Sequence, residues 1–384
     1  MNQIFTSSLS SLPTPAYVVD EARLKANMQT AARIRAQAGC RVLLATKAFA
    51  LPAVFPLMRE YLDGTTASGL FEARLGKETF GKEVHVFAPA YTDEALQEIL
   101  PFADHIYFNS VAQVRHHLKV VRGAGKKIGI RINPNYSKVT LGGELYDPCA
   151  PTSRFGVSQN ELDQLPWDEI DILHAHSLCE SMHDGSVGLI EHMGKTFGPY
   201  IKRVSAVNFG GGHFINKKGY DVDALIAAIR AFRAAFNVDV ILEPGSGHVV
   251  DAGYLVTAVL DILPEKKIAI LDASACCHMP DVLEVPYTPP LLGAEEGGVL
   301  PHTYTLGGNT CMTGDVIGTY SFAQPLKIGD RLVFGDMLQY SFVKNNTFNG
   351  QPLPEIGILR EDGSYETLRR FGYEDFVGRL MEKD

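Results

Sequence analysis

Positive charge is scarce in this chain. Thirty-five Lys and Arg stand against 44 Asp and Glu, a net charge of −9, which argues against a nucleic-acid-binding surface as its main business. Long apolar runs are missing as well. No stretch reaches the roughly 18 apolar residues that a membrane span requires, so none is expected. The opening residues MNQIFTSSLSSLPTP carry neither a basic nor an apolar segment, and no signal peptide is expected. The six cysteines (Cys40, Cys149, Cys179, Cys276, Cys277, Cys311) form no CxxC pair. Their scatter suits reduced thiols in a cytoplasmic protein better than a disulfide scaffold. No GxGxxG or GxxxxGK follows an apolar run, which lowers the case for a doubly wound nucleotide-binding fold. What remains is a chain of 384 residues, 46% hydrophobic and 21% charged. That is globular composition, and long enough for two or three domains.

Short apolar runs alternate with amphipathic stretches through the first two thirds. Ala16–Val19, Val42–Thr46, Val84–Ala88, His105–Phe108, Lys127–Ile132, Asp171–His176, Ala206–Phe209 and Val238–Leu242 read as strands. Between them, Asp20–Ala38, Thr92–Leu100, Ala112–Arg122 and Asp223–Ala235 read as helices. Several strands are apolar on both faces, as parallel strands covered by helices must be. About eight such units predict a (β/α)8 barrel. After about residue 253, Pro and Gly become frequent and the apolar runs shorten. Ile268–Asp272, Thr303–Leu306, Arg331–Phe334 and Tyr340–Val343 are candidate strands of a second, mostly β domain.

The candidate chemistry sits at strand ends. Lys47 follows Val42-Leu43-Leu44-Ala45-Thr46; in a barrel that end faces the active site, and partial desolvation favours the neutral amine that attacks carbonyls. His174 and His176 share one strand face. Cys179 and His183 lie nearby, so a zinc site is an alternative, although no well-spaced ligand set completes it; no metal is expected. Asn208-Phe-Gly210-Gly211-Gly212 follows another strand, where three glycines can turn backbone N–H groups toward an anion; a plain tight turn is the alternative. Glu243-Pro-Gly-Ser-Gly ends the next strand with a carboxylate on the same rim. Cys311, in Gly308-Asn-Thr-Cys-Met-Thr-Gly-Asp315, is a thiol in a glycine-rich loop of the second domain, either a buried small hydrophobe or a proton donor.

Together these residues resemble the alanine-racemase-fold (fold type III) pyridoxal-phosphate decarboxylases, a family that includes ornithine and diaminopimelate decarboxylases. The resemblance runs from Pro13-Thr-Pro-Ala-Tyr-Val-Val-Asp20 to Phe371-Gly-Tyr373. It is carried by Ala45-Thr-Lys-Ala48, His174-Ala-His-Ser-Leu-Cys-Glu180, Gly210-Gly-Gly-His213, Glu243-Pro-Gly245 and Cys311-Met-Thr-Gly-Asp315. It is strongest toward the branch acting on carboxynorspermidine and carboxyspermidine. The resemblance implies a pyridoxal-phosphate-binding (β/α)8 barrel over 23–253 and a mostly β domain from 1–22 and 254–384. It also implies a homodimer with shared active sites, in which Cys311 and Asp315 reach the neighbouring subunit.

By the same resemblance Lys47 holds pyridoxal phosphate covalently, and His176 stacks on its ring. Gly210, Gly211, Gly212 and Tyr340 bind the phosphate, and Arg131 lies near the cofactor. Glu243 keeps the ring nitrogen protonated, because a neighbouring negative charge raises its pKa, and it also faces the substrate. A protonated ring is the stronger electron sink, which favours decarboxylation over racemisation. Cys311 protonates the α-carbon. Ser246 stands where diaminopimelate decarboxylases have an arginine, and Met312 where the relatives have an acid. Both point to a longer amino acid with cationic nitrogens, bound by Asp281 with Asp315 or Glu284. Thr65 stands where the family has an aspartate near the cofactor lysine. A non-catalytic pyridoxal-phosphate carrier, which would resemble the barrel alone, is a rival from another class.

Overall fold

The computed structural model describes residues 12–139 and 143–381. These divide into two compact units, Lys25–His248 and the segments 12–24 and 249–381.

The first strand, β1 (Ala16–Asp20), leads into the helix Glu21–Ala38. Eight strands follow: β2 (Arg41–Ala45), β3 (Gly64–Ala67), β4 (Glu83–Phe87), β5 (His105–Phe108), β6 (Lys127–Arg131), β7 (Ile172–His174), β8 (Ala206–Asn208) and β9 (Asp239–Leu242). They form a closed parallel barrel in chain order, sealed where Arg41 and Val42 of β2 pair with Ile241 and Leu242 of β9. Val42, Leu43 and Leu44 are fully buried, as expected of a strand packed on both sides. Leu43, Tyr107, Ile172, Ala206 and Ile241 meet in the interior. An acid just ahead of a strand ties down its neighbour: Asp63, Asp104 and Asp171 accept from the backbone N–H groups of Val42, Val84 and Ile128 at 3.0, 2.9 and 2.7 Å. The N-terminal mouth is thereby held in register.

One expectation changes here. Of the eight runs read as barrel units, Ala16–Val19 lies in the sheet of the other unit, on the side of the chain assigned to the β domain, and β3 completes the ring. Gly-Thr-Thr-Ala has no apolar run to reveal it, yet it must be small. A Cβ on Gly64 would stand 2.1 Å from the Glu83 carbonyl oxygen.

The other unit holds a nine-stranded sheet. Its new strands are β10 (Gly253–Leu263), β11 (Ile268–Leu271), β12 (Glu295–Glu296), β13 (His302–Gly307), β14 (Val316–Phe322), β15 (Arg331–Gly335), β16 (Glu355–Leu359) and β17 (Tyr365–Arg369). β1 pairs antiparallel with β10 and parallel with β16. Leu12, Val18, Tyr254, Val256 and Val333 pack together on this sheet. Tyr340–Val343, expected as a strand, is instead the start of a helical turn, Ser341–Lys344. Tyr340 enters it at φ 43, and its carbonyl accepts from the Val343 and Lys344 N–H groups, so the segment cannot join a ladder. Among the described residues no helix is long and apolar enough to cross a membrane.

Candidate active site

The C-terminal mouth of the barrel gathers the expected strand-end residues around one cavity of about 270 Å³. Lys47, Phe87, Arg131, His174, His176 and Glu243 line it. That size is near the lower end for small-molecule sites. The Lys47 side chain is open to solvent within the cavity. Burial, aided by the Arg131 guanidinium, pushes the amine below its ordinary pKa, with Glu243 opposing. The neutral form is the nucleophile.

Glu243 follows β9 directly and is 4% exposed. Its Oε1 accepts from Asn208 Nδ2 at 2.7 Å, and its Oε2 lies 3.7 Å from His174 Nε2. A buried carboxylate costs several kcal/mol unless donors surround it; here an amide and two imidazoles stand close. His174 is buried, and neither ring nitrogen has a hydrogen-bond partner among the described residues. Burial drives both His174 and His176 well below the usual imidazole pKa, with Arg131 and Lys47 adding to it. Both rings are therefore neutral at pH 7. Arg131 donates to the His176 carbonyl at 2.8 Å and lies over the rings of Phe87 and Phe155, 4.7 and 4.2 Å from their centroids.

The glycine loop is more committed than its sequence suggested. The Gly210 N–H donates to Asn208 Oδ1 at 2.8 Å, and the Gly211 N–H to His176 Nδ1 at 3.2 Å. Two of the three amides expected at a phosphate are thus already engaged in holding Asn208 and His176. The loop still demands glycine. A Cβ at Gly210 (φ +65) would lie 2.6 Å from that of His176, and one at Gly212 (φ +83) 2.1 Å from the Leu178 carbonyl oxygen. Thr65, standing where the family has an aspartate, is fully buried and faces Gly76, so it turns away from the cavity that its neighbour Thr66 lines.

The remaining candidates lie in the sheet unit. Cys311 is exposed on its loop, with its N–H donated to Asn349 Oδ1 at 3.0 Å. Asp315 is 5% exposed and turned inward. It accepts from Ser274 Oγ, the Ala275 N–H, the Thr310 N–H and Thr310 Oγ1 at 2.9, 2.7, 3.3 and 2.6 Å. Its carboxylate, expected at the substrate, instead ties the Cys311 loop to the turn at Ser274. Replacing Asp315 by alanine would orphan those donors, and chemical denaturation should register a loss of about 3 kcal/mol. Asp281 is half-buried and paired, together with Glu284, to Lys344. Tyr340 is half-buried at the entry to the Ser341–Lys344 turn.

Residues that sequence reasoning passed over include His85, Tyr107, Phe87, Arg154 and Phe155. A signal for the first two was present: Glu83, His85, His105 and Tyr107 occupy alternate positions of two otherwise apolar strands.

The residues fit pyridoxal phosphate. A lysine amine of lowered pKa, a buried carboxylate and an unpartnered imidazole line one cavity, and a loop that admits no side chain packs behind its His176 and Glu243. A family model for the pyridoxal-dependent decarboxylases, described by its C-terminal sheet domain, matches residues 16–337. The chain belongs to this family. It is accordingly a pyridoxal-phosphate-dependent decarboxylase. It is 43% identical to a carboxyaminopropylagmatine decarboxylase from Synechocystis sp., covering 99% of this chain and 98% of that relative. It is 40% identical to a carboxynorspermidine/carboxyspermidine decarboxylase from Campylobacter jejuni, over 95% and 98% of the two chains. Among solved structures, carboxynorspermidine decarboxylase from Campylobacter jejuni, complexed with norspermidine, superposes with a TM-score of 0.88 at 37% identity, covering 96% of this chain and all of that one.

Proposed function

We propose that this enzyme decarboxylates carboxynorspermidine, and carboxyspermidine with it, to norspermidine or spermidine and CO2 in polyamine biosynthesis. The observation that carries the chemistry is the pairing of a buried carboxylate, Glu243, with an amine of lowered pKa, Lys47, on one cavity. The near-full-length likeness to carboxypolyamine decarboxylases supports the substrate class. The enzyme acts in the cytoplasm as a homodimer with shared active sites.

Bound pyridoxal phosphate supplies an electron sink for the pair left on the α-carbon when CO2 departs. Lys47 would hold the cofactor through its amine. Glu243 would keep a proton on the ring nitrogen, so that the sink stays strong. His176, held by Arg131 and the Gly211 amide, presents a neutral ring as a stacking surface. Gly212 would bind the phosphate, with Gly210 and Gly211 shaping the loop. Cys311 returns a proton to the α-carbon, which balances the reaction: one C–C bond breaks, one C–H bond forms, and one proton is taken up. Cys311→Ala should slow turnover on the order of 100-fold, or divert it to abortive transamination, with the cofactor absorbance intact. Unchanged turnover and products would remove that role.

Asp281, with Glu284, would bind the distal nitrogens, the substrate ammonium taking over the position that Lys344 holds in the free chain. CO2 release from carboxynorspermidine, carboxyspermidine, diaminopimelate and ornithine, assayed side by side, tests the substrate. The two carboxypolyamines should exceed the others by at least about 100-fold in kcat/KM, because a site built for cationic nitrogens loses that binding with the shorter amino acids. Equal turnover of diaminopimelate would contradict the weight placed on Ser246 and Met312. One observation favours a second reading: the Synechocystis relative, at 43% identity, is named for carboxyaminopropylagmatine, which ends in a guanidino group. Adding that compound to the series separates the two.

A further inference from the structure

The barrel interior contains a line of polar groups that the chemistry above does not use. Glu83 and His85 of β4 share a face, as do His105 and Tyr107 of β5, and His85 pairs directly with His105 across the ladder. From the cavity downward, Asn208 Nδ2 contacts both Glu243 Oε1 (2.7 Å) and the Tyr107 hydroxyl (3.1 Å). That hydroxyl lies 3.0 Å from His85 Nδ1, and His85 Nε2 lies 3.2 Å from Glu83 Oε2. Arg41 grips both Glu83 oxygens at 3.2 and 3.0 Å, at the partly solvated N-terminal mouth. A hydrogen-bonded line thus crosses the barrel from the cavity to its opposite end.

The direction of each bond follows from the ends. The Gly210 N–H occupies Asn208 Oδ1, so both amide hydrogens of Asn208 point away, one to Glu243 and one to the Tyr107 oxygen. Glu83, paired to Arg41, accepts from His85 Nε2–H. His85 Nδ1 then carries a lone pair and takes the Tyr107 hydroxyl hydrogen. Every donor has an acceptor and none is shared. Buried polar groups among Leu43, Ile172 and Ile241 add nothing to stability that well-packed apolar side chains would not, and the backbone has been cleared to admit them. A Cβ on Gly129 would stand 2.2 Å from the Tyr107 ring.

We propose that His85, Tyr107 and Asn208 form a positioning relay that fixes Glu243 against the cofactor's ring nitrogen and couples it to the Glu83–Arg41 pair at the far mouth. This rests on the role given to Glu243 above. Among the described residues, the ionisable groups facing Glu243 include His85, His174, Lys47, Arg131 and Tyr107. Those facing His85 include Glu83, Tyr107, Glu243, His174 and the stacked ring of His105. The relay therefore has a charged pair at one end and the reacting cofactor at the other.

Two variants test it in the holoenzyme: Tyr107→Phe, which removes only the hydroxyl, and Glu83→Leu, which touches neither cavity nor cofactor. The readouts are the pH midpoint of the ring nitrogen, followed through the ¹⁵N chemical shift of labelled pyridoxal phosphate in the holoenzyme, the dissociation constant for pyridoxal phosphate, the kcat and KM, and the melting temperature. Tyr107→Phe should move the midpoint at which the ring nitrogen loses its proton to lower pH by about one unit. Pyridoxal phosphate should bind about tenfold more weakly, and kcat should fall with KM within about twofold. Glu83→Leu should shift the midpoint the same way by less. The double variant should shift it no further than Tyr107→Phe alone, because the line is already cut. Midpoints unmoved from wild type, with only the melting temperatures lowered, would overturn the relay and leave the function intact, as would strictly additive shifts. A wild type that acquires no cofactor absorbance would overturn the function itself.

Discussion

Lys47→Ala should purify colourless after incubation with pyridoxal phosphate, while the wild type absorbs in the visible violet. Decarboxylation should fall on the order of 10⁴-fold or more, since positioning the reacting group within the site is worth at least that much. The physical reason lies in the setting of this amine. Burial, with Arg131 nearby, depresses its pKa, which favours the neutral nucleophile relative to a surface lysine. Arginine at the same position would keep the charge and still fail, because a guanidinium does not form the covalent link. A colourless wild type after reconstitution would end the enzyme assignment.

Glu243→Gln should lower kcat on the order of 10³-fold while leaving the protein folded and coloured. Glutamine preserves the side-chain volume and can still accept the Asn208 hydrogen bond, so the fold has little reason to change. The missing quantity is one negative charge in a desolvated site, where electrostatic stabilisation is far stronger than in water. Without that charge the ring nitrogen loses its proton more easily, and the pair from the α-carbon meets a weaker sink. The loss should fall mainly on kcat, because the charge acts on the cofactor ring. Cofactor absorbance and melting temperature, measured on the same sample, separate this from misfolding.

The barrel was legible wherever its strands were apolar, and it was lost where packing demanded small residues. β3 is Gly-Thr-Thr-Ala, invisible to a search for hydrophobic runs. The helix His183–Ile201 went unread for a related reason. It contains Pro199 and several glycines, two of which, Gly194 and Gly198, lie against the Phe236 ring closely enough that a Cβ would stand 3.2 and 3.3 Å from it. Tyr340–Val343 had β-prone residues, but Asn345 and Asn346 follow it and Tyr340 adopts a left-handed φ; local propensity yielded to its setting. At the site, single-residue signals at strand ends were readable because the barrel puts every such end on one mouth. The engaged Gly210 and Gly211 amides were not, because their partners Asn208 and His176 become neighbours only once the ring closes. The His85–Tyr107–Asn208 line spans three strands that are far apart in sequence, and only its alternation within β4 and β5 left a trace.

Everything in the account turns on the negative charge beside the ring nitrogen, and the protonation state of that nitrogen can be read directly. The enzyme reconstituted with ¹⁵N-labelled pyridoxal phosphate should give the nitrogen chemical shift of a protonated ring near pH 7.5, and Glu243→Gln should give that of an unprotonated one. A wild-type ring already unprotonated there, or a shift that the Gln variant leaves unchanged, would contradict the claim.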